Sequence, residues 1–195
     1  MKIGIFGGSF NPPHKKHIEI IKTLIENKHL DKVIFVPTGT KYEYKNNLLP
    51  NNIRLDMLKL ICNKENNFEV SDFELQDKVV YTYQTLDYFK NKYKDDEIYF
   101  ICGSDNLSYI DEWKQGKYLL ENYKFLVTER DTNNIKPILN KYKEYISNIK
   151  VIRTNKDTIS STYIRNKIKD NKLEDVKEYL DKDVYLYIKK NNLYK

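Results

Sequence analysis

Lys2-Ile3-Gly4-Ile5-Phe6-Gly7-Gly8-Ser9-Phe10-Asn11-Pro12-Pro13-His14-Lys15-Lys16-His17 decides how the rest of the chain is read. Ile3–Phe6 is an apolar run of strand length, and Ile18, Ile21 and Ile25 have the spacing of one helix face. Between them lies a small-residue turn that carries two of the chain's three histidines. A strand, a glycine-led turn and a helix start make an anion site. The first N–H groups of the helix have no intrahelical partner, and the helix dipole favours negative charge there. His14 and His17, three residues apart, fall on one helix face and reach the same anion. The residues alone leave other readings open: Gly-Gly as a plain tight turn, Asn-Pro-Pro as a rigid loop exit, and the two histidines as metal ligands. No Cys–His cluster supplies further ligands, so phosphate is the better reading of the turn.

Working outward, apolar runs of strand length recur at Ile3–Phe6, Val33–Val36, Phe68–Val70, Ile98–Cys102, Phe125–Val127 and Val151–Ile152. Helical patterns lie between them, near 15–27, 52–63, 82–93, 116–121 and 136–146, the second with Ile53, Met57, Leu58 and Ile61 along one face. Strands without strict alternation, separated by amphipathic helices, predict a Rossmann-like doubly wound parallel sheet with helices on both faces. After Ile152 the pattern is helical only, at about 160–169, 173–180 and 184–190, which predicts a C-terminal helical segment. Pro37 to Pro50 reads as the longest loop, following the carboxyl end of the second strand, where open α/β sheets hold ligands. No linker or repeat divides the chain, so residues 1–195 are expected to form one domain. Neither G-x-G-x-x-G nor G-x-x-x-x-G-K-[ST] occurs, which excludes the two commonest phosphate-binding turns.

Bulk properties narrow the class. A 195-residue chain that is 40% hydrophobic and 32% charged has the make-up of an ordinary globular protein. The net charge of +6 suits anionic partners without choosing among them, and no basic run exceeds two residues. Cys62 and Cys102 each sit in apolar surroundings and read as buried thiols of a reducing compartment. No apolar stretch reaches the roughly 18 residues of a membrane span. The first strand begins at residue 2, so no cleaved leader is expected and the location is read as cytoplasmic.

A second motif, Ile159-Ser160-Ser161-Thr162-Tyr163-Ile164-Arg165, follows the last strand-like run and opens a helix. A serine N-cap accounts for part of it. Arg165 also falls three residues past Thr162, on the face of that hydroxyl. Hydroxyls, free N–H groups and a guanidinium converging on one point suit a polyphosphate.

Together, Gly7-Gly8-Ser9-Phe10-Asn11-Pro12-Pro13-His14-x-x-His17 and Ile159-Ser160-Ser161-Thr162-x-Ile164-Arg165 resemble the two signatures of the HxGH-type nucleotidyltransferases. More narrowly, they resemble those of the nicotinic acid mononucleotide adenylyltransferase family. Tyr81-Thr82-Tyr83-Gln84-Thr85-Leu86 is similar to that family's pyridine-framing segment. Ile101-Cys102-Gly103-Ser104-Asp105-Asn106-Leu107, with Trp113 and Leu119-Leu120, is similar to its G-x-D-x-L…W…LL stretch, and Arg130 resembles the arginine ending the next strand. Two positions depart from the pattern. Lys16 stands where the signature has Gly, and Lys41-Tyr42-Glu43-Tyr44-Lys45 stands where many bacterial members have Pro-Pro-His-Lys. The latter resembles a Tyr-x-x-Lys version found in enzymes that also accept the amide nucleotide, so the choice between acid and amide stays open.

The resemblance implies adenylyl transfer from ATP to nicotinate mononucleotide, giving deamido-NAD and pyrophosphate, with Mg²⁺ bound through the ATP phosphates. It assigns His17, His14 and Arg165 to the reacting phosphates. Gly8, Ser9, Phe10, Gly103, Asp105, Ser160, Ser161 and Thr162 are assigned to ATP. Lys45, Thr82, Thr85, Trp113 and Arg130 are assigned to the mononucleotide, and no protein ligand to a metal. Trp113 taken alone reads more often as core, and Asp105 as a helix N-cap. Phosphopantetheine adenylyltransferase shares a related histidine turn, but Asn-Pro-Pro, Trp113 and the 82–85 segment speak against it. An RNA-binding module would suit the basic charge and the 17 tyrosines, but no basic cluster or aromatic RNA motif accompanies them. Neither nucleic acid nor membrane is therefore expected as a partner, and a homo-oligomer is left open.

Overall fold

Both faces of the central strands are apolar, and a parallel sheet with helices on each side follows from that. A computed structural model describes residues 1–41, 47–129, 135–154 and 159–195. Its strands are β1 (Lys2–Gly8), β2 (Lys32–Pro37), β3 (Phe68–Val70), β4 (Glu97–Gly103), β5 (Lys124–Glu129) and β6 (Ile149–Arg153). Among the described residues they form one sheet in the order β3-β2-β1-β4-β5-β6, and every pairing is parallel. The helices are α1 (Lys15–Glu26), α2 (Asn51–Cys62), α3 (Thr82–Lys92), α4 (Ser104–Leu107), α5 (Gly116–Asn122), α6 (Ile135–Lys141), α7 (Ser161–Lys169) and α8 (Lys182–Lys190).

Successive residues of a strand face opposite sides, and the core divides accordingly. Phe6, Val33, Phe35, Ile101, Leu126 and Ile152 point to the side covered by α1, α2, α7 and α8. Ile3, Ile5, Ile34, Val36, Phe100 and Val127 point to the side covered by α3 and α5, with α6 at its margin. The strand order reverses between β1 and β4, which are neighbours in the sheet although two strands separate them in sequence. A crevice opens there at the carboxyl ends of the strands, the position where folds of this kind hold ligands.

The sequence-predicted strands all occur, each lengthened by one or two residues at either end, except β3, which is as read. Three helical readings change. The buried stripe of α1 is Lys16, Ile20, Ile21 and Leu24, with Ile18 and Ile25 only partly buried, because His17 shares the inward face. The helix expected over 136–146 ends at Lys141 and gives way to a 3-10 segment, Lys143–Asn148. The change falls at Tyr142, whose ring is turned into the core at 3% exposure and whose hydroxyl donates to Asp111 Oδ1 at 2.5 Å. The segment expected over 173–180 is likewise a 3-10 helix, Leu173–Tyr179, and α4 was not anticipated.

Gly116 starts α5 against the segment that carries Trp113, and its N–H donates to Trp113 O at 2.8 Å. A Cβ there would lie 1.9 Å from Ile110 O and 2.9 Å from Ile110 C, so backbone would have to move. Gly116→Ala is expected to cost about 1–3 kcal/mol, as other forced overpackings do. A thermal midpoint equal to that of the wild type would show that α5 does not abut this loop so closely.

Candidate active site

The site is built on the turn between β1 and α1. Thr38 N–H donates to Gly8 O at 2.9 Å, prolonging the β1–β2 ladder to the mouth of the crevice. Phe10 then takes φ 45°, a left-handed conformation unusual for a bulky residue, with its side chain only 2% exposed. Its ring packs edge-on against Phe6, Phe35 and His17, at centroid distances of 5.5, 5.8 and 5.2 Å. The Asn11–Pro12 peptide bond is cis.

Three carbonyls of this turn are held by side chains from elsewhere. Arg54 Nη1 donates to Ser9 O at 2.9 Å, Arg165 Nη1 to Asn11 O at 2.8 Å, and Ser161 Oγ to Pro12 O at 2.8 Å. Arg165 and Asn11 are separated by 154 residues, so the two sequence motifs meet in space. Holding the Ser9 oxygen has a directional consequence. In a planar trans peptide the C=O and the following N–H point oppositely, so the Phe10 N–H is turned away from Arg54.

His14 is the N-cap of α1, in extended conformation, and the helix's first turn carries no acidic residue. The His14 N–H donates to His17 Nδ1 at 3.2 Å, while the His17 N–H donates to His14 O at 3.0 Å. The two rings stack with centroids 3.8 Å apart. Because Nδ1 of His17 accepts a backbone N–H, the ring proton belongs on Nε2, which leaves that nitrogen a hydrogen-bond donor. His17 thus has the tautomer needed to donate to an anion without carrying a full charge.

At the start of α7, Ser160 is the N-cap, and its Oγ accepts from Tyr163 N–H at 3.1 Å. Thr162 Oγ1 accepts from Arg165 Nη2 at 3.1 Å. Two of the five guanidinium donors of Arg165 have these partners.

A cavity of about 980 Å³ occupies the crevice. Gly8, Phe10 and His17 line one side, and Thr82, Thr85, Gly103, Asp105 and Trp113 line others. His14, Ser9, Ser160, Ser161, Thr162 and Arg165 are not on its wall. The α7 group instead joins the turn through the carbonyls of Asn11 and Pro12, beyond the cavity proper. Gly103, not Asp105, is the N-cap of α4. A Cβ at Gly103 would lie 2.1 Å from Asp105 Oδ1, so glycine lets the carboxylate fold over the end of β4. Thr85 is 2% exposed and donates to Glu74 Oε1 at 2.7 Å. Trp113 is half-buried, edge-on to Phe100 and Tyr109, with centroids 6.2 and 6.1 Å away. Lys45 and Arg130 lie outside the described residues. Burial pushes the Cys62 thiol up to about 12 and that of Cys102 higher still, so neither is a nucleophile at neutral pH. Among the described residues no group of three or more His, Cys, Asp or Glu is arranged to hold a metal ion, and no helix is long and apolar enough to cross a membrane.

Two residues of the site escaped the sequence reading. Glu74 sits in irregular chain and carries no periodic signal. Arg54 did leave one, because Arg54, Met57, Leu58 and Ile61 have the i, i+3, i+4, i+7 spacing of a buried face, with a cation at its first position. Arg54 is 0% exposed, and among the described residues no carboxylate pairs with it. Its three acceptors are neutral: Ser9 O, Leu49 O at 2.9 Å and Asn51 Oδ1 at 2.7 Å. Burial holds its guanidinium below the ordinary value.

A reversed parallel sheet with a histidine turn at its switch point defines a nucleotide-binding α/β protein. Residues 5–167 match the cytidylyltransferase-like family model. The chain is 36% identical over 199 residues to a "probable nicotinate-nucleotide adenylyltransferase" of Clostridium acetobutylicum, covering 99% of this chain and 98% of the relative. It is 38% identical over 198 residues to a protein of the same description from Clostridium botulinum strain Hall, covering 98% of each. The solved structure of Plasmodium falciparum nicotinic acid mononucleotide adenylyltransferase complexed with NaAD superposes with a TM-score of 0.83 at 25% identity, covering 99% of this chain and 97% of that one. The same enzyme complexed with APC, at 24% identity, matches the fold with a TM-score of 0.80 over 99% of this chain and 96% of that one. The chain belongs to the cytidylyltransferase-like family, among its nicotinate-nucleotide adenylyltransferases.

The three bonds of Arg54 give a stability test. Lysine keeps the buried charge but cannot reach all three acceptors from one nitrogen. Arg54→Lys is expected to lose at least about 2 kcal/mol in urea unfolding, since hydrogen bonds to a buried charge are worth roughly 1.5–3 kcal/mol. A variant as stable as the wild type would show that the fork does not hold the turn.

Proposed function

We propose that the protein transfers AMP from ATP to the phosphate of nicotinate mononucleotide, releasing pyrophosphate and forming deamido-NAD. The observation that carries this reading is the meeting of the two motifs: Arg165 and Ser161 grip the turn whose Gly8, Phe10 and His17 face the cavity. The acceptor is taken from the relatives' descriptions, and the continuous sheet supports treating residues 1–195 as one catalytic domain.

In the reaction, an oxygen of the mononucleotide phosphate forms a bond to the α-phosphorus of ATP. The bond from that phosphorus to the β-bridging oxygen breaks, and its electron pair leaves with pyrophosphate. The nucleophile is already largely dianionic at neutral pH, because a phosphate monoester's second pKa is about 6. A general base, typically worth about 10²–10⁴-fold, has no proton to remove. Orientation can supply roughly 7–11 kcal/mol of the barrier, so positioning and charge stabilisation dominate.

In this reading His17 Nε2–H donates to the α-phosphate as charge builds on it, and His14 holds the ring's tautomer. The backbone of Gly8, Ser9 and Phe10 faces the reacting phosphates. Ser160, Ser161, Thr162 and the remaining donors of Arg165 hold the β- and γ-phosphates. Asp105, over Gly103, takes a ribose hydroxyl. Thr82, Thr85 and Trp113 frame the pyridine ring, with Lys45 and Arg130 assigned to the mononucleotide by resemblance alone. The family's use of ATP implies a metal-assisted reaction, and Mg²⁺ carried on the ATP oxygens would neutralise phosphate charge. Two buried, unpaired cysteines support a reducing, cytoplasmic setting.

The test is pyrophosphate release from ATP and Mg²⁺ with nicotinate mononucleotide, its amide analogue or phosphopantetheine as acceptor. The acid mononucleotide is expected to turn over fastest and phosphopantetheine not at all. His17→Ala is expected to lower kcat by at least about 10²-fold, the scale of losing one preorganised transition-state donor. Near-wild-type turnover in a folded His17→Ala variant would remove the histidine from the mechanism.

A further inference from the structure

Asn11 is 2% exposed, and its side chain is held on both polar atoms. Nδ2 donates to Asn47 O at 3.0 Å, and Oδ1 accepts from Leu49 N–H at 3.3 Å and from the Tyr194 hydroxyl at 3.0 Å. Its own carbonyl is the one that Arg165 holds. One residue therefore ties the phosphate turn to the loop after β2, to α7 and to a tyrosine 183 residues away.

Tyr194 follows α8 with φ 65°, a left-handed conformation unusual for a bulky residue. Leu193 and Tyr194 pack on the apolar cluster of the α1 side, and Leu193 N–H donates to Ile188 O at 3.2 Å. That packing brings the phenol beneath the turn, within the electrostatic reach of both Arg54 and Arg165. The second donor to Asn11 Oδ1, Leu49 N–H, makes the longer bond, so the hydroxyl contributes much of what orients the amide.

Building on the adenylyl-transfer reading, we propose that Tyr194 is a positioning residue, its hydroxyl acting through Asn11 to hold the phosphate turn in the arrangement that Arg165 and Ser161 grip. The segment after α8 thereby reaches the reacting phosphates without touching them. The hydroxyl is spent on Asn11.

Tyr194→Phe keeps the ring and removes one neutral hydrogen bond, a change on the scale of a two- to tenfold effect (about 0.5–1.5 kcal/mol). The expected result is a fall of that size in kcat, with KM for the mononucleotide within twofold of wild type. Tyr187→Phe is the control: that hydroxyl donates to Asp56 Oδ2 at 3.2 Å and makes no bond to the turn. It should lower the thermal midpoint comparably and leave kcat unchanged. In an Asn11→Ser background, Tyr194→Phe should cause no further loss, because the two residues act as a unit. Unchanged kcat in Tyr194→Phe, an equal loss in Tyr187→Phe, or additivity with Asn11→Ser would each overturn the proposal while leaving the function intact. A wild type that neither binds ATP nor releases pyrophosphate would overturn the function, and the proposal with it.

Discussion

The structure depends on how the backbone carbonyls between β1 and α1 are held. A turn proposed to receive phosphate must keep its oxygens out of the way, since each is a partial negative charge. Here Ser9, Asn11 and Pro12 each have their oxygen drawn to a donor, and those donors come from α2 and α7. The turn is therefore not a local motif that folds on its own. It takes its form from two helices far away in sequence, both packed on the same sheet face.

That arrangement explains a buried charge that otherwise looks costly. A fully buried guanidinium without a carboxylate is disfavoured by desolvation, and the shift of Arg54 has that sign. Its planar fork spans Ser9, Leu49 and Asn51, which a point-like ammonium cannot do. Leaving the charge uncompensated also keeps a positive potential behind the turn, where an anionic substrate would benefit from it.

Much of this was legible in the sequence, and the reasons differ by element. Strands buried on both faces read as unbroken apolar runs, so β1 to β6 were found with only their ends displaced. The histidine turn and the Ser-Ser-Thr motif were found because glycine, proline and hydroxyl residues have strong local preferences. What escaped depends on tertiary contacts. The helical pattern over 136–146 ends at Tyr142, whose hydroxyl meets Asp111, a contact that spacing does not announce. Glu74 lines the cavity and accepts from Thr85, a pairing that spacing does not announce. Arg54 was visible as a cation on an apolar stripe, but its target, the Ser9 carbonyl, could not be read from spacing. Of the α1 stripe, Ile21 is buried as expected, whereas Ile18 and Ile25 are only partly buried beside a histidine that lines the cavity.

A crystal structure with a non-hydrolysable ATP analogue tests the central claim most directly. The triphosphate is expected to lie between the starts of α1 and α7, with an α-phosphate oxygen within about 2.6–3.2 Å of His17 Nε2 and a β- or γ-oxygen on Arg165. A triphosphate bound elsewhere, or one that leaves either side chain without a phosphate contact, would contradict it.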